Sequence, residues 1–202
     1  MRYLNISLLS GHNYMAITTD LCKLNVEHLM IEYKPITPND VKAFWTFLTQ
    51  LDSQTDFMMY EPDERAIRAT PSLLQAEIQS NVITGGDCIY IALDNGNIVG
   101  YIHAERGKFN RTRHTAYIVT GVLQSHRGRG IGTALFERLD KWAGENRIAR
   151  LELTVECHNE AAKRLYEKAG FAVEGTRKSS MCVNGQYIDE YYMAKLYTIN
   201  HQ

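Results

Sequence analysis

From residue 31 onwards, apolar and polar positions fall into short blocks of distinct period. Residues 31–36 alternate, as a half-buried strand does. Thr37, Pro38, Asn39 and Asp40 form a helix start, with Thr37 as cap and Pro38 at the first helical position. Val41, Phe44, Trp45 and Leu48 then follow at helical spacing. Residues 57–65 (FMMYEPDER) are expected to be a loop of aromatics and acids, and Pro71 opens a second helix carrying Leu73, Leu74 and Ile78. A strand over 88–93 ends at Asp94-Asn95-Gly96-Asn97, a hairpin signal leading into a strand over 98–104. After a polar turn at 106–113, a third apolar run covers 115–123 and stops at a loop of arginines and glycines. Leu135, Phe136, Leu139 and Trp142 predict a helix over 133–146, and RLELTV at 150–155 alternates as a strand. Asn159 caps a helix holding Ala162, Leu165, Tyr166 and Ala169, and Gly170 ends it. Strands over 171–174 and 187–195 flank the turn Val183-Asn184-Gly185. The order β-α-α-β-β-β-α-β-α-β-β predicts an α+β (mixed α/β) domain around one mixed, mainly antiparallel sheet.

Residues 1–29 show no sustained period. They are set apart as an N-terminal extension: an added hairpin, a dimerisation arm or a loosely ordered leader. The domain itself is expected over 30–197, with 198–202 as a tail.

Composition narrows the class. The chain has 202 residues, 45% hydrophobic and 22% charged, which excludes a disordered, collagen-like or coiled-coil protein. Its formal net charge of −1 provides no global basic field for phosphates, so nucleic acid is not expected as a partner. Cys22, Cys88, Cys157 and Cys182 stand far apart, without zinc-ligand spacing, so no metal is expected. No apolar run approaches the roughly 18 residues of a membrane span, and the first 20 residues carry only a weak apolar stretch, so a cytoplasmic protein is expected.

The chemistry concentrates in Gln124-Ser125-His126-Arg127-Gly128-Arg129-Gly130-Ile131-Gly132-Thr133. Glycines without Cβ atoms let the backbone turn its N–H groups inward, and the helix that follows adds the positive end of its dipole. Such a loop cradles a phosphate or pyrophosphate, and Arg127 and Arg129 bring full charge close by. It is not a Walker A loop, because no lysine follows the glycines. The dinucleotide fingerprint also fails, since it needs Gly or Ala where Thr133 stands.

Arg127-x-x-Gly130-x-Gly132 resembles the acetyl-CoA pyrophosphate signature of the GNAT superfamily of N-acetyltransferases. The strand ending Gly121-Val122-Leu123, the strand near 151–155 and the run from Asn159 to Phe171 (NEAAKRLYEKAGF) fit the same family, over residues 31–197. The tail from Glu174 to Met193 looks like the branch holding ribosomal-protein and polyamine acetyltransferases. The resemblance implies the acyl-CoA N-acyltransferase fold, with acetyl-CoA in a gap where the parallel strands at 115–123 and 150–156 splay apart. It implies that amides of Arg129, Gly130, Ile131, Gly132 and Thr133 hold the pyrophosphate, with Arg127 and Gly128 also among the cofactor-binding residues. Main-chain groups of Val122 and Leu123 would pair with the pantetheine arm, and the Val122 N–H would polarise the thioester carbonyl. Asn159 matches a position that binds the cofactor arm, beside its role as helix cap. Tyr166 lies two turns further along the same face and would protonate the departing thiolate.

Many relatives place a glutamate on the strand before the loop, but residues 114–123 hold no acid. Glu105, Glu152, Glu190 and His114 are the candidates for a proton acceptor, directly or through water. Glu61, Asp189 and Glu190 give the expected acceptor region an acidic bias suited to a cationic amine. Since Asp189 and Glu190 are adjacent on a strand, at most one faces the substrate. The reading is thus an acetyl-CoA-dependent N-acetyltransferase acting on a primary amine: a protein N-terminus, a polyamine or a small amine. A non-catalytic acyl-CoA sensor of the same fold is the alternative. The resemblance also allows a homodimer.

Overall fold

A computed structural model describes residues 30–198; the extension at 1–29 and residues 199–202 lie outside the described residues. Seven strands form one sheet: β1 (Glu32–Pro35), β2 (Cys88–Asp94), β3 (Asn97–Arg106), β4 (Thr115–Val122), β5 (Arg150–Glu156), β6 (Ala172–Val183) and β7 (Gln186–Leu196). Their order across the sheet is β1-β2-β3-β4-β5-β7-β6. Every neighbouring pair is antiparallel except β4 and β5, the mixed arrangement expected from the element order. The β2–β3 turn puts Asn95 and Gly96 at φ 50° and 78°, the left-handed pair that a two-residue hairpin requires.

The helices are α1 (Val41–Asp52), α2 (Glu64–Arg68), α3 (Pro71–Glu77), α4 (Ile131–Glu145) and α5 (Glu160–Lys168). Register divides them between the two faces. On one face α1 packs against Tyr101 of β3, whose ring meets Phe44 and Phe47 edge-on at 5.4 and 5.8 Å. On the other, Ile131 at the start of α4 lies against Gly100, and Leu165 of α5 lies against Gly132 of α4. Ile91, Ile102, Leu135, Leu139, Leu151, Leu153 and Met193 form the buried centre between sheet and helices.

Four expectations are revised. The helix start at Thr37 is a 3-10 turn over Pro38–Asp40, in which the Asp40 carboxylate accepts the Thr37 N–H at 2.9 Å and hydroxyl at 2.7 Å. The 57–65 loop runs into helix α2 because Arg65 turns inward onto Asp52 of α1, with Nε–Oδ2 at 2.5 Å and both residues buried. Helix α4 begins at Ile131, not Thr133, so two loop residues belong to its first turn. Strand β6 runs for 12 residues, well past 174, with a bulge near Ser179 (φ 50°). As an edge strand with its first eight residues exposed, β6 carries no alternation for the sequence to reveal.

Strands β4 and β5 pair in parallel only over Thr115↔Arg150, Ala116↔Leu151 and Tyr117↔Glu152. Past that point they separate, and the Tyr117 hydroxyl bridges to Thr154 Oγ1 at 2.8 Å near the base of the gap.

Candidate active site

The glycine loop sits at the open end of this gap. After β4, residues Gln124–His126 make a 3-10 turn, Arg127 returns to extended backbone, and Gly128 and Gly130 both adopt positive φ (74° and 79°). A side chain at either glycine would meet no atom within 4 Å, so what demands glycine is the left-handed backbone rather than crowding. Gly130 is the N-cap of α4 and no side chain caps that helix. The N–H groups of Ile131, Gly132 and Thr133 therefore lack intrahelical acceptors, and among the described residues the amides of Gly128, Arg129 and Gly130 find none either. Six consecutive bare amides at the positive end of a 15-residue helix make an anion cradle.

Neighbouring side chains brace the loop. Asp94, in the β2–β3 turn, accepts from Arg129 Nη1 at 3.0 Å and lies 3.2 Å from His126 Nε2. The hydrogen bond from Arg129, with help from His126, holds the Asp94 carboxyl below its usual pKa. Arg127 Nε donates to the Val122 carbonyl at 3.2 Å and folds the loop back over the end of β4.

The wall of the gap follows from strand alternation. Leu123 N–H donates to Val99 at 2.9 Å, so the odd-numbered residues of β4 direct their main-chain groups to β3. Even-numbered residues, Thr120 and Val122 among them, direct theirs toward β5, where no partner strand remains. The Val122 N–H accordingly faces the gap. The Leu123 N–H, by contrast, is taken by Val99, and its carbonyl already accepts one hydrogen bond from the His126 N–H at 2.9 Å.

Across the gap, Asn159 caps α5 by accepting the Ala162 N–H at 3.1 Å, which leaves its side-chain NH2 uncommitted. Tyr166 is buried beside Phe136 and Phe171, with ring centroids 5.8 and 6.3 Å away. Its hydroxyl has no hydrogen-bond partner among the described residues, and burial pushes its pKa up to about 12.

The candidate acids scatter. Glu61 is exposed, and its backbone N–H bonds Glu64 of its own loop. Asp189 faces β6, held by Lys178 at 2.7 Å and the Ser179 N–H at 2.9 Å. Glu190, on the opposite face, is buried and bonded to Arg177 at 3.1 Å. Glu152 is tied to Arg150 at 2.6 Å, and Glu105 and His114 are exposed.

Two largely enclosed groups were missed. His103 on β3 is partly buried, which lowers its pKa to about 4, and its Nε2 has no hydrogen-bond partner among the described residues. Glu156, the last residue of β5, is 5% exposed, and neither carboxylate oxygen accepts a hydrogen bond from the described residues. Sequence could have flagged it: in RLELTVE the charged residues fall on alternate positions, placing Glu156 on the same face as Glu152 and Thr154. Among the described residues no cluster of His, Cys, Asp and Glu has the makings of a metal site.

Residues 45–171 match the model of the acetyltransferase (GNAT) family. The L-amino acid N-acetyltransferase AaaT of Escherichia coli (strain K12) is 36% identical over 110 residues, 52% of this chain, and the match spans 66% of that relative's length. Among solved structures, a GNAT-family acetyltransferase from Streptococcus pneumoniae superposes with a TM-score of 0.78 at 27% identity, covering 84% of this chain and all of that one. A putative acetyltransferase, yncA, from Salmonella typhimurium, solved with its cofactor acetyl-CoA, shares the fold with a TM-score of 0.70 at 20% identity, over 82% of this chain and 93% of that one. With a glycine loop opening α4, a parallel pair that parts beyond Tyr117, and a family match over most of its described residues, this chain belongs to the acetyltransferase (GNAT) family.

Proposed function

We propose that the chain is an acetyl-CoA-dependent N-acetyltransferase that moves an acetyl group to a primary amine by direct attack on the thioester. The observation that carries this reading is the row of unpaired amides from Gly128 to Thr133 at the mouth of the β4–β5 gap. Coenzyme A has a matching shape: an anionic diphosphate followed by a narrow arm of amides. The diphosphate sits on the loop amides and the helix N-terminus, with Arg127 and Arg129 at its edge. The arm enters the gap as an added strand, where Val122 and Asn159 offer polar groups.

Acetyl-CoA supplies the activated acyl group, and the chain's residues lower the barrier to its transfer. The Val122 N–H donates to the carbonyl oxygen, where negative charge grows as the amine attacks. The Tyr166 hydroxyl donates to the leaving sulfur. With a pKa near 12 it stays protonated at neutral pH, while a free thiol titrates near about 8.5, so its part is a hydrogen bond that firms as the C–S bond breaks. The acceptor approaches from the α1 face. Its class is a primary amine, and since one relative is named for L-amino acids, those head the trial panel, followed by peptides and polyamines.

Calorimetry with acetyl-CoA, followed by thiol release over that panel, tests the reading. Micromolar binding abolished by Gly130→Glu, together with amine-dependent thiol release, is the expected result. Binding without turnover on any amine would leave an acyl-CoA sensor, and no binding at all would remove the cofactor assignment.

A further inference from the structure

We propose that Glu156 is the proton acceptor for the incoming amine, a catalytic residue set at the end of β5 in place of an acid on β4. This rests on the transferase reading above. β4 presents Tyr117, Val119 and Gly121 to the α1 face and carries no acid. Where β5 ends, on that same face, the Glu156 carboxylate is withdrawn from solvent with no hydrogen bond to either oxygen among the described residues. A buried polar group left unpaired costs stability, so this carboxylate is a liability for the fold alone. An ammonium group would satisfy it.

The groups facing Glu156 come from each element packed around it. His158, two residues on, places Nε2 at 3.3 Å from Oε2 without the alignment of a hydrogen bond, and its own side chain reaches solvent. Glu190 lies opposite in the β5–β7 register, and its carboxylate is already bonded to Arg177 of β6. Asp56, after α1, adds negative charge, and Phe57 rests against the His158 ring with centroids 5.4 Å apart. Glu156 is thus a buried acid without a hydrogen bond among the described residues, beside two further carboxylates, in a setting that draws a cation. Burial raises its pKa, opposed by His158 and assisted by Glu190 and Asp56, which suits a group that must take up a proton. His103 is a poorer choice. It sits on β3 between Ile89 and Val119, one strand removed from the gap, and its low pKa keeps it unprotonated.

The protons balance as follows. The ammonium gives one proton to Glu156, and the freed lone pair attacks the thioester carbonyl carbon. As the C–S bond breaks, the thiolate leaves hydrogen-bonded to the Tyr166 hydroxyl and takes up the proton that the new amide nitrogen sheds. Glu156 returns its proton to solvent through His158. One acetyl group moves, one thiol forms and one proton is released.

The test compares the full chain with Glu156→Gln and Glu156→Asp, using acetyl-CoA and the best amine of the panel. The expected result for Glu156→Gln is an acetyl-CoA Kd within about threefold of wild type and kcat/KM lower by about 100-fold at pH 7.5, the loss of one general base. The acidic limb of the pH–rate profile disappears with it, and Glu156→Asp recovers part of the rate. Glu156→Gln also melts at a higher temperature than wild type at pH 7.5, because a carboxyl whose folded pKa is raised opposes folding above its unfolded pKa. A Gln variant that keeps wild-type turnover and its acidic limb overturns the assignment, and so does one whose loss follows entirely from lost acetyl-CoA binding. If wild type itself neither binds acetyl-CoA nor releases thiol, the parent reading has failed and Glu156 loses this role with it, a result seen before any variant is made.

Discussion

Leu165 occupies the space that a side chain on Gly132 would need: a Cβ built there would stand 2.8 Å from Leu165 Cδ2. The two glycines before it are open on all sides, so Gly132 differs from them in kind. It lets the first turn of α4 press against α5, one residue from Tyr166, and so sets the distance between the amide cradle and the buried phenol.

Gly132→Ala should therefore push the tip of Leu165 aside at a cost of about 1 kcal/mol, at the low end for overpacking because that tip can rotate. Chemical denaturation measures the cost. Since the shift passes to Tyr166, kcat should fall further than acetyl-CoA affinity; equal falls would mean that α4 and α5 are not coupled here.

Gly130 separates strain from charge. With φ at 79° and no neighbour within 4 Å, Gly130→Ala meets only the left-handed backbone penalty, about 1–2 kcal/mol of stability. Acetyl-CoA binding should survive it. Gly130→Glu carries the same strain plus a negative charge in an anion cradle, and binding should vanish in calorimetry.

Removing the brace at Asp94 should loosen the loop. Asp94→Asn weakens the contacts to Arg129 and His126, and hydrogen exchange at residues 126–130 should speed up while β2 and β3 exchange as before. The same loosening is expected in wild type under acid. A carboxyl whose pKa is lowered by folding lends its support above its unfolded pKa, near about 3.9, and loses it as pH falls further.

The Arg65–Asp52 pair makes a sharper demand. Both residues are buried, so Arg65→Ala leaves a carboxylate alone inside the fold and should cost about 3–5 kcal/mol in a denaturant titration. Arg65→Ala with Asp52→Ala together should recover much of that loss, because no charge is then stranded.

Tyr166→Phe should leave stability nearly unchanged, since the hydroxyl has no protein partner among the described residues, and lower kcat by about 100-fold. A phenol near pKa 12 cannot produce a basic limb below about pH 10. If wild type shows one there, the limb belongs to another group, and if Tyr166→Phe turns over normally the tyrosine is a packing residue.

Much of this architecture was legible because the signals were local. Asp94-Asn95-Gly96-Asn97 could only be a tight turn, Asn159 a cap, and three glycines between a strand and an amphipathic helix an anion loop. What stayed hidden depends on contacts far apart in sequence. Helix α2 exists because Arg65 finds Asp52 on another helix, a pairing no periodicity encodes. The commitment of Leu123 to Val99 follows from register between β3 and β4 rather than from residue type. Glu156 was no candidate from sequence, and only its burial without a hydrogen bond among the described residues sets it apart from Glu152, which Arg150 neutralises.

The short parallel contact between β4 and β5 also divides the molecule mechanically. Among the described residues, a ladder of three residue pairs joins four strands on one side to three on the other, so the sheet can be viewed as two leaves on a common spine. Any chain that slips between the leaves and bonds to both acts as a crossbar. Catalysis and rigidity would then be tuned by one and the same seam, and a change that stiffens the spine at Tyr117 and Thr154 would be felt at the opposite end, where the leaves stand widest.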